Sequence, residues 1–287
     1  QVSEGPPLPY GLAAHAGGKV RGAPVVAGGS SWSQDKKTKQ RHRETWLFVD
    51  GKWKPGPMLT SPRSDLAYAS DPTGLYVAGG MDGQTATREV LRLNDVGPAA
   101  RWQKLAELPE PIESAAGTIL GGIFYVAGGF VSGKESNRMW ALDTLHPAQA
   151  QWKPCAPLPA EGRAYAALVA HGKSLYLLGG YAGPPGGKET KVFGDTYRYN
   201  PATNRWKRLA GFDLPGFGWS AVSVDAAHLM LAGRIDQKNQ ITDDIWLLNV
   251  QDLAWAAIGK LKIQSCCMPS VNAGDGAWWF IGGEPDV

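Results

Sequence analysis

A chain of 287 residues would divide into about two average domains on length alone. Its 43% hydrophobic content argues against disorder, and a net charge of +3 is too small to call for a nucleic-acid partner. No apolar run approaches the roughly 18 residues that a membrane span needs, so composition leaves one thing to explain: an excess of glycine (37) and tryptophan (12).

The glycines explain themselves as a repeat. Short strand-forming runs end in a glycine doublet at Val25-Val26-Ala27-Gly28-Gly29, Tyr76-Val77-Ala78-Gly79-Gly80, Tyr125-Val126-Ala127-Gly128-Gly129 and Tyr176-Leu177-Leu178-Gly179-Gly180. Two further copies stand at Leu229-Met230-Leu231-Ala232-Gly233, where Ala232 is read in place of the first glycine, and Trp279-Phe280-Ile281-Gly282-Gly283. The interval is close to fifty residues throughout, which is the signature of a repeat architecture.

After each of the first five doublets comes a polar loop and then a strand ending in Asp or Asn: Thr45 to Asp50, Val90 to Asn94, Trp140 to Asp143, Thr196 to Asn200 and Ile245 to Asn249. A tryptophan follows in register, at Trp53, Trp102, Trp152, Trp206 and Trp255, and then a strand of small residues such as Ala164 to Leu168. No stretch has a helical period. Four strands per unit of fifty residues predict propeller blades, with glycine where the chain turns sharply and tryptophan as an apolar plate between neighbouring sheets.

The sixth doublet lies near the C-terminus, which leaves blade six short of its last two strands. Aligning Leu8-Pro9 on Leu108-Pro109 assigns residues 1–5 as the outer strand of that blade, closing the ring. The third strand is then missing, so either the gene continues past Val287 or the blade is three-stranded. The expectation is therefore an all-β, six-bladed β-propeller of four-stranded antiparallel blades, one domain over residues 1–287, its ring closed by the N- and C-terminal strands.

Functional groups are expected at one mouth of the central channel. Residues just ahead of the small-residue strands are Tyr10, Arg63, Glu113, Arg163, Trp219 (with Phe217) and Ser265 (with Cys266). Residues just after the doublets are Ser30, Met81, Phe130, Tyr181, Arg234 and Glu284. If both sets face the same end, arginine forks for a carboxylate, aromatic faces for a sugar ring and a glutamate for proton transfer converge. The same side chains also fit a ring of salt bridges from blade to blade. A long basic loop, Ser30 to Glu44, carries Trp32, Asp35, Lys36, Lys37, Lys39, Arg41, His42 and Arg43 and suits either solvent or an anionic ligand. A second, Tyr181 to Phe193, holds Tyr181, Pro184, Pro185, Gly186 and Gly187, a candidate lid.

Cys155, Cys266 and Cys267 are odd in number, without metal-type spacing, and read as small partly buried thiols; the five histidines are scattered, so neither a metal site nor a cofactor is expected.

The doublet, aromatic and tryptophan pattern resembles the kelch repeat over essentially the whole chain. The segment Gly11 to Gly18, the Gly28-Gly29 doublet with Trp32 and its Lys-rich loop, and the terminal Ile281-Gly282-Gly283-Glu284 look like the bacterial kelch proteins of the sialic acid mutarotase (N-acetylneuraminate epimerase) group. That resemblance implies a cofactor-independent isomerase acting on a sugar or sugar acid, with Glu284 as the acid/base. The arginine that follows the glutamate in that group has no counterpart before Val287. The carboxylate clamp is expected from Arg63, Arg163 or Arg234, with Glu113, Trp219, Tyr181 and Arg43 completing the substrate site. The alternatives are a non-catalytic kelch module that binds protein or a plain carbohydrate-binding propeller. Galactose oxidase shares the propeller, but its copper site of two Tyr and two His is not supported by the scattered histidines. A chain beginning at Gln1 and a sugar-linked family suggest export, to a periplasm or beyond the cell; unpaired thiols suggest the cytoplasm instead.

Overall fold

The computed structural model describes residues 2–184, 189–210, 214–274 and 276–285. Among these residues are five four-stranded antiparallel sheets, each drawn from one repeat with its strands in chain order across the sheet; in three of them a separate two-stranded ribbon intervenes between the second and third strands. Blade 1 runs Ala16–Val20, Ala23–Ala27, Thr45–Val49 and Lys52–Pro55; blade 2 runs Ala67–Asp71, Gly74–Ala78, Val90–Leu93 and Gln103–Lys104. Blade 3 is Ala116–Leu120, Ile123–Ala127, Met139–Asp143 and Lys153–Pro154. Blade 4 is Ala167–His171, Ser174–Leu178, Thr196–Asn200 and Arg205–Arg208, and blade 5 is Ser220–Ser223, His228–Ala232, Asp244–Asn249 and Trp255–Lys260.

The expected six complete blades are not present. Among the described residues the sixth repeat forms a two-stranded hairpin, Ser270–Gly274 with Ala277–Phe280, and residues 2–5 form no strand. Outer strands therefore do not close the ring. The innermost layer does: the first strand of every repeat packs on the next, and the hairpin strand Ser270–Gly274 packs on Ala16–Val20. The approach is close, because a Cβ on Gly17 would lie 2.5 Å from the Pro269 side chain.

The closure is a hydrogen-bonded circle. Each repeat places one residue in the left-handed region just before its inner strand: Ala14, Asp65, Ser114, Tyr165, Gly218 and Cys267, with φ between 51° and 67°. The amide of each donates to the carbonyl of the one before: Asp65 to Ala14 (2.9 Å), Ser114 to Asp65 (2.8 Å), Tyr165 to Ser114 (2.9 Å), Gly218 to Tyr165 (2.9 Å) and Cys267 to Gly218 (2.8 Å). Ala14 completes the circle by donating to Cys267 at 3.1 Å. A left-handed non-glycine residue costs about 1 kcal/mol or more, and at five positions the bonds of the circle offset that cost.

The rest of the sequence pattern acts where expected. Apolar clusters fill the spaces between blades 1 and 2, 2 and 3, 3 and 4, and 4 and 5, and Trp102, Trp152, Trp206 and Trp255 pack against them in turn. Three of the indoles donate to carbonyls of the preceding unit: Trp102 to Pro57 (2.9 Å), Trp152 to Ala106 (2.8 Å) and Trp206 to Ala156 (3.0 Å). Trp53 donates to Pro6 at 3.2 Å, so the N-terminal segment keeps the repeat register although it adds no strand.

The fifth doublet needs its register corrected by one residue. Gly233 has φ +57° and its amide bonds to the Asp244 carbonyl, as Gly79 and Gly179 bond to Glu89 and Asp195. Gly233 is thus the first doublet position, and Arg234, not a glycine, is the second. The first position admits nothing larger: a Cβ on Gly233 would lie 1.9 Å from the Ser265 carbonyl oxygen.

His15 lies at the seam between the first and last repeats, with its Cε1 2.8 Å from where a Gly282 Cβ would sit. Burial pushes its imidazole down to about 3, against a weaker upward pull from the Ile281 carbonyl. A folded-state value below the unfolded one means that acid destabilises the fold: the unfolded chain takes up the proton first. The expected loss is on the order of 1 kcal/mol per pH unit between about 6.5 and 3. Urea melts of wild type and His15→Gln across that range check this, the variant giving the shallower acid slope. Gly233→Ala should cost more than 2 kcal/mol in the same assay, against about 1 kcal/mol for Gly22→Ala, where φ is positive but the space is open.

Candidate functional site

Residues ahead of the inner strands and residues after the doublets do meet on one face. Six isolated bridges join them, Ala13 to Ser30, Ser64 to Met81, Glu113 to Phe130, Ala164 to Tyr181, Phe217 to Ile235 and Cys266 to Glu284. Two-stranded ribbons rise from this face at Ser30–Trp32 with Lys39–Arg41, at Phe130–Val131 with Lys134–Glu135, and at Tyr181–Ala182 with Lys191–Val192.

Glu284 stands at this mouth. Its carboxylate accepts from the Trp32 indole Nε1 at 2.6 Å and pairs with the Lys39 ammonium at 2.9 Å. Lys39 also lies 5.2 Å from the centre of the exposed Trp32 ring. An indole face, a cation and a carboxylate thus sit side by side, all placed by the first ribbon and the last repeat. Arg41, two residues along the same strand, donates to the Lys39 carbonyl at 3.1 Å and reaches Gly83 in blade 2.

Glu113 is half-buried at the bridge of the third repeat, three repeats around the ring from Glu284. Burial first, then the charge of Asp65, raises its carboxyl above the usual range, and Arg41 works against them. Asp65 itself accepts from the Ser64 hydroxyl (2.6 Å) and from the Tyr165 hydroxyl. Burial and that same carboxylate push the Tyr165 phenol far up. The Cys267 thiol is also raised, by its contact with Cys266, by burial and by the charges of Asp65 and Glu284. All three cysteines are free.

The three expected clamp arginines lie elsewhere. Arg63, Arg163 and Arg234 are buried and already paired with carboxylates of their own repeats. Arg63 pairs with Glu89, whose carboxyl burial alone would raise but Thr60 and Arg63 hold below the usual range. Arg163 grips Asp195 at 2.6 and 3.4 Å, donates to the Gly179 carbonyl at 3.1 Å and covers the Phe193 ring at 3.9 Å. Arg234 meets Asp244 at 2.6 Å and lies 5.0 Å from the Trp219 ring.

The third pair is built backwards. In repeats 2 and 4 the arginine stands ahead of the inner strand, and its Cδ lies 3.5 and 3.2 Å from where a Cβ on the second doublet glycine, Gly80 or Gly180, would be. In repeat 5 the arginine occupies that second position and the loop residue is Gly216, where a Cβ would come within 2.3 Å of the Arg234 Cδ. The glycine and arginine have exchanged places, and the guanidinium still finds its carboxylate.

Tyr181 is also buried, packed 4.5 Å from Phe217 and 5.9 Å from Tyr165 between ring centres. Trp219 is buried beneath Arg234. Arg43 is exposed, and Tyr10 lies against His42 at 4.7 Å. Of the candidate lid, Pro185, Gly186 and Gly187 lie outside the described residues. The mouth therefore brings Glu284 and Glu113 to one face, with the arginines beneath it. Asp65 and Tyr165 stand outside the residues that the sequence pattern singles out. Both hold the left-handed position of their repeats, and that shared register was the available signal.

This geometry defines a kelch propeller. The KLHDC2/KLHL20/DRC7 Kelch-repeats domain model matches residues 15–216, and the chain belongs to the kelch-repeat family. Among its relatives, the N-acetylneuraminate epimerase of Pasteurella multocida (strain Pm70) is 28% identical over 174 residues, 61% of this chain and 43% of that protein. Kelch-like protein 35 of Mus musculus is 26% identical over 246 residues, 84% of this chain and 38% of that protein. The N-acetylneuraminate epimerase of Haemophilus influenzae (strain PittEE) is 34% identical over 111 residues, 39% of this chain and 28% of that protein. The chain spans less than half the length of each.

Removing a buried guanidinium strands its carboxylate, which costs about 3 kcal/mol or more. Arg163→Ala is therefore expected to lower the melting temperature by many degrees, whereas Arg43→Ala, on the surface, leaves it within a degree or two, as calorimetry would record.

Proposed function

We propose that the chain binds a sugar acid at the ribbon face and acts on it as a cofactor-independent mutarotase, with Glu284 as the proton acceptor. The observation that carries the reading is the Glu284 carboxylate held at the mouth between the exposed Trp32 indole and the Lys39 ammonium. A sugar presents an apolar ring face for the indole and hydroxyls for the carboxylate. The similarity to proteins named N-acetylneuraminate epimerase supports the sugar-acid class.

Mutarotation fits such a pair. Glu284 takes the proton of the anomeric hydroxyl while Lys39, 2.9 Å away, gives one to the ring oxygen. The bond from the anomeric carbon to the ring oxygen breaks, the carbonyl form rotates, and the reverse transfers close the ring on its other face. Arg41, on the same strand as Lys39, is the cation for the sugar carboxylate in this reading, since Arg63, Arg163 and Arg234 each hold a carboxylate of their own.

Proton NMR of freshly dissolved N-acetylneuraminate, with and without protein, follows anomer equilibration directly. Acceleration is expected, and Glu284→Gln should reduce it by about 100-fold or more. No acceleration with any sugar acid overturns the enzymatic reading. Titration of the same sugar then separates a carbohydrate-binding propeller from a kelch module that binds protein.

A further inference from the structure

The hydrogen-bonded circle divides the axis into two environments. On its far side from the ribbons lies a cavity of about 890 Å³ along the channel, and neither Glu284 nor Lys39 lines it. Its floor is the circle itself, with Asp65, Ser114, Tyr165 and Cys267 facing it. Its waist is a belt where the inner strands carry Gly17, Tyr68, Gly117, Leu168, Ala221 and Ser270. At Gly117 packing leaves no room for a side chain: a Cβ there would lie 2.6 Å from the Tyr68 backbone. Lys19, Arg21 and Asp71 line the other end, where the first hairpins turn.

The charges are polarised. At the floor, Asp65 is saturated by Ser64 and Tyr165 and repels an anion. At the far end Asp71 is turned to the Thr73 amide at 2.8 Å. Arg21 spends one donor on the Asn94 carbonyl at 3.2 Å, and Lys19 has no ion pair among the described residues. Two cations with donors to spare thus rim a cavity whose waist is mostly apolar, and the volume is that of a small-molecule site.

We propose that this cavity is a second ligand site, separate from the ribbon face, for an organic monocarboxylate with a flat apolar body. The body lies in the belt against Tyr68 and Leu168, and the carboxylate meets Lys19 and Arg21. The arrangement is independent of the Glu284 reading.

Isothermal titration with 2-naphthylacetate, its neutral amide and the matching amine tests it. The carboxylate should bind at least 10-fold more tightly than the amide, the amine should not bind, and affinity should fall with added salt. Lys19→Gln with Arg21→Gln, both on the rim, should remove the preference for the carboxylate, and Ala221→Leu should block all binding by filling the belt. Glu284→Gln should bind as wild type does, so loss of mutarotation and loss of this site are read separately. Equal affinity for the three compounds, binding that survives the rim double variant with its preference intact, or no binding of the carboxylate overturns the proposal.

Discussion

Six backbone amides bonded head to tail around the axis hold this molecule in register. The circle is built from residues in the left-handed region, and the five that are not glycine are strained there, a cost that the bonds between neighbours offset. Because the chain of bonds returns to Ala14 from Cys267, no repeat in it has a free end. That explains how a ring with five full blades closes. The sixth repeat needs only an inner strand and one left-handed residue to take its place: the strand Ser270–Gly274 is the first and Cys267 the second. Outer strands add apolar burial between blades but are not needed for closure.

The circle also sorts the charges. Beneath the ribbon face, guanidinium groups are taken out of water, and a buried charge is tolerable only when paired and hydrogen-bonded. Each of Arg63, Arg163 and Arg234 has its carboxylate at the start of a third strand, at Glu89, Asp195 and Asp244. The exchange of Arg234 and Gly216 in repeat 5 shows what is constrained there: one guanidinium and one glycine per site, reached from either side. Above that layer, Glu284 pairs with the partly exposed Lys39. The carboxylates are alike in depth and the cations are not: the Lys39 side chain is 27% exposed, and those of Arg63, Arg163 and Arg234 are 10% exposed or less.

The fold was largely legible in the sequence because its requirements are local. A doublet of positive φ calls for glycine, an inter-blade space calls for an indole at a fixed place after each third strand, and these recur every fifty residues or so. The site was legible only in part. Glu284 was singled out by its place after the last doublet, and it does stand at the mouth. The three arginines were legible as members of the ring but not as its buried fasteners, because pairing with Glu89, Asp195 and Asp244 depends on how each loop folds back over its blade. The fifth doublet misled by one residue because Ala232 precedes Gly233, and only the hydrogen bond from Gly233 to Asp244 fixes the register.

Sequence by itself determined the repeat, the all-β class and the face on which loops gather. Tertiary structure decided the number of complete blades, the commitment of each charge and the residues that share the axis. Trp32 and Lys39 meet Glu284 across 252 and 245 residues, and Tyr165 meets Asp65 across 100. Such pairs belong to no repeat. They exist because closing a ring brings its first and last units into contact and turns every inner strand toward one axis, and neither effect leaves a mark in any fifty-residue window.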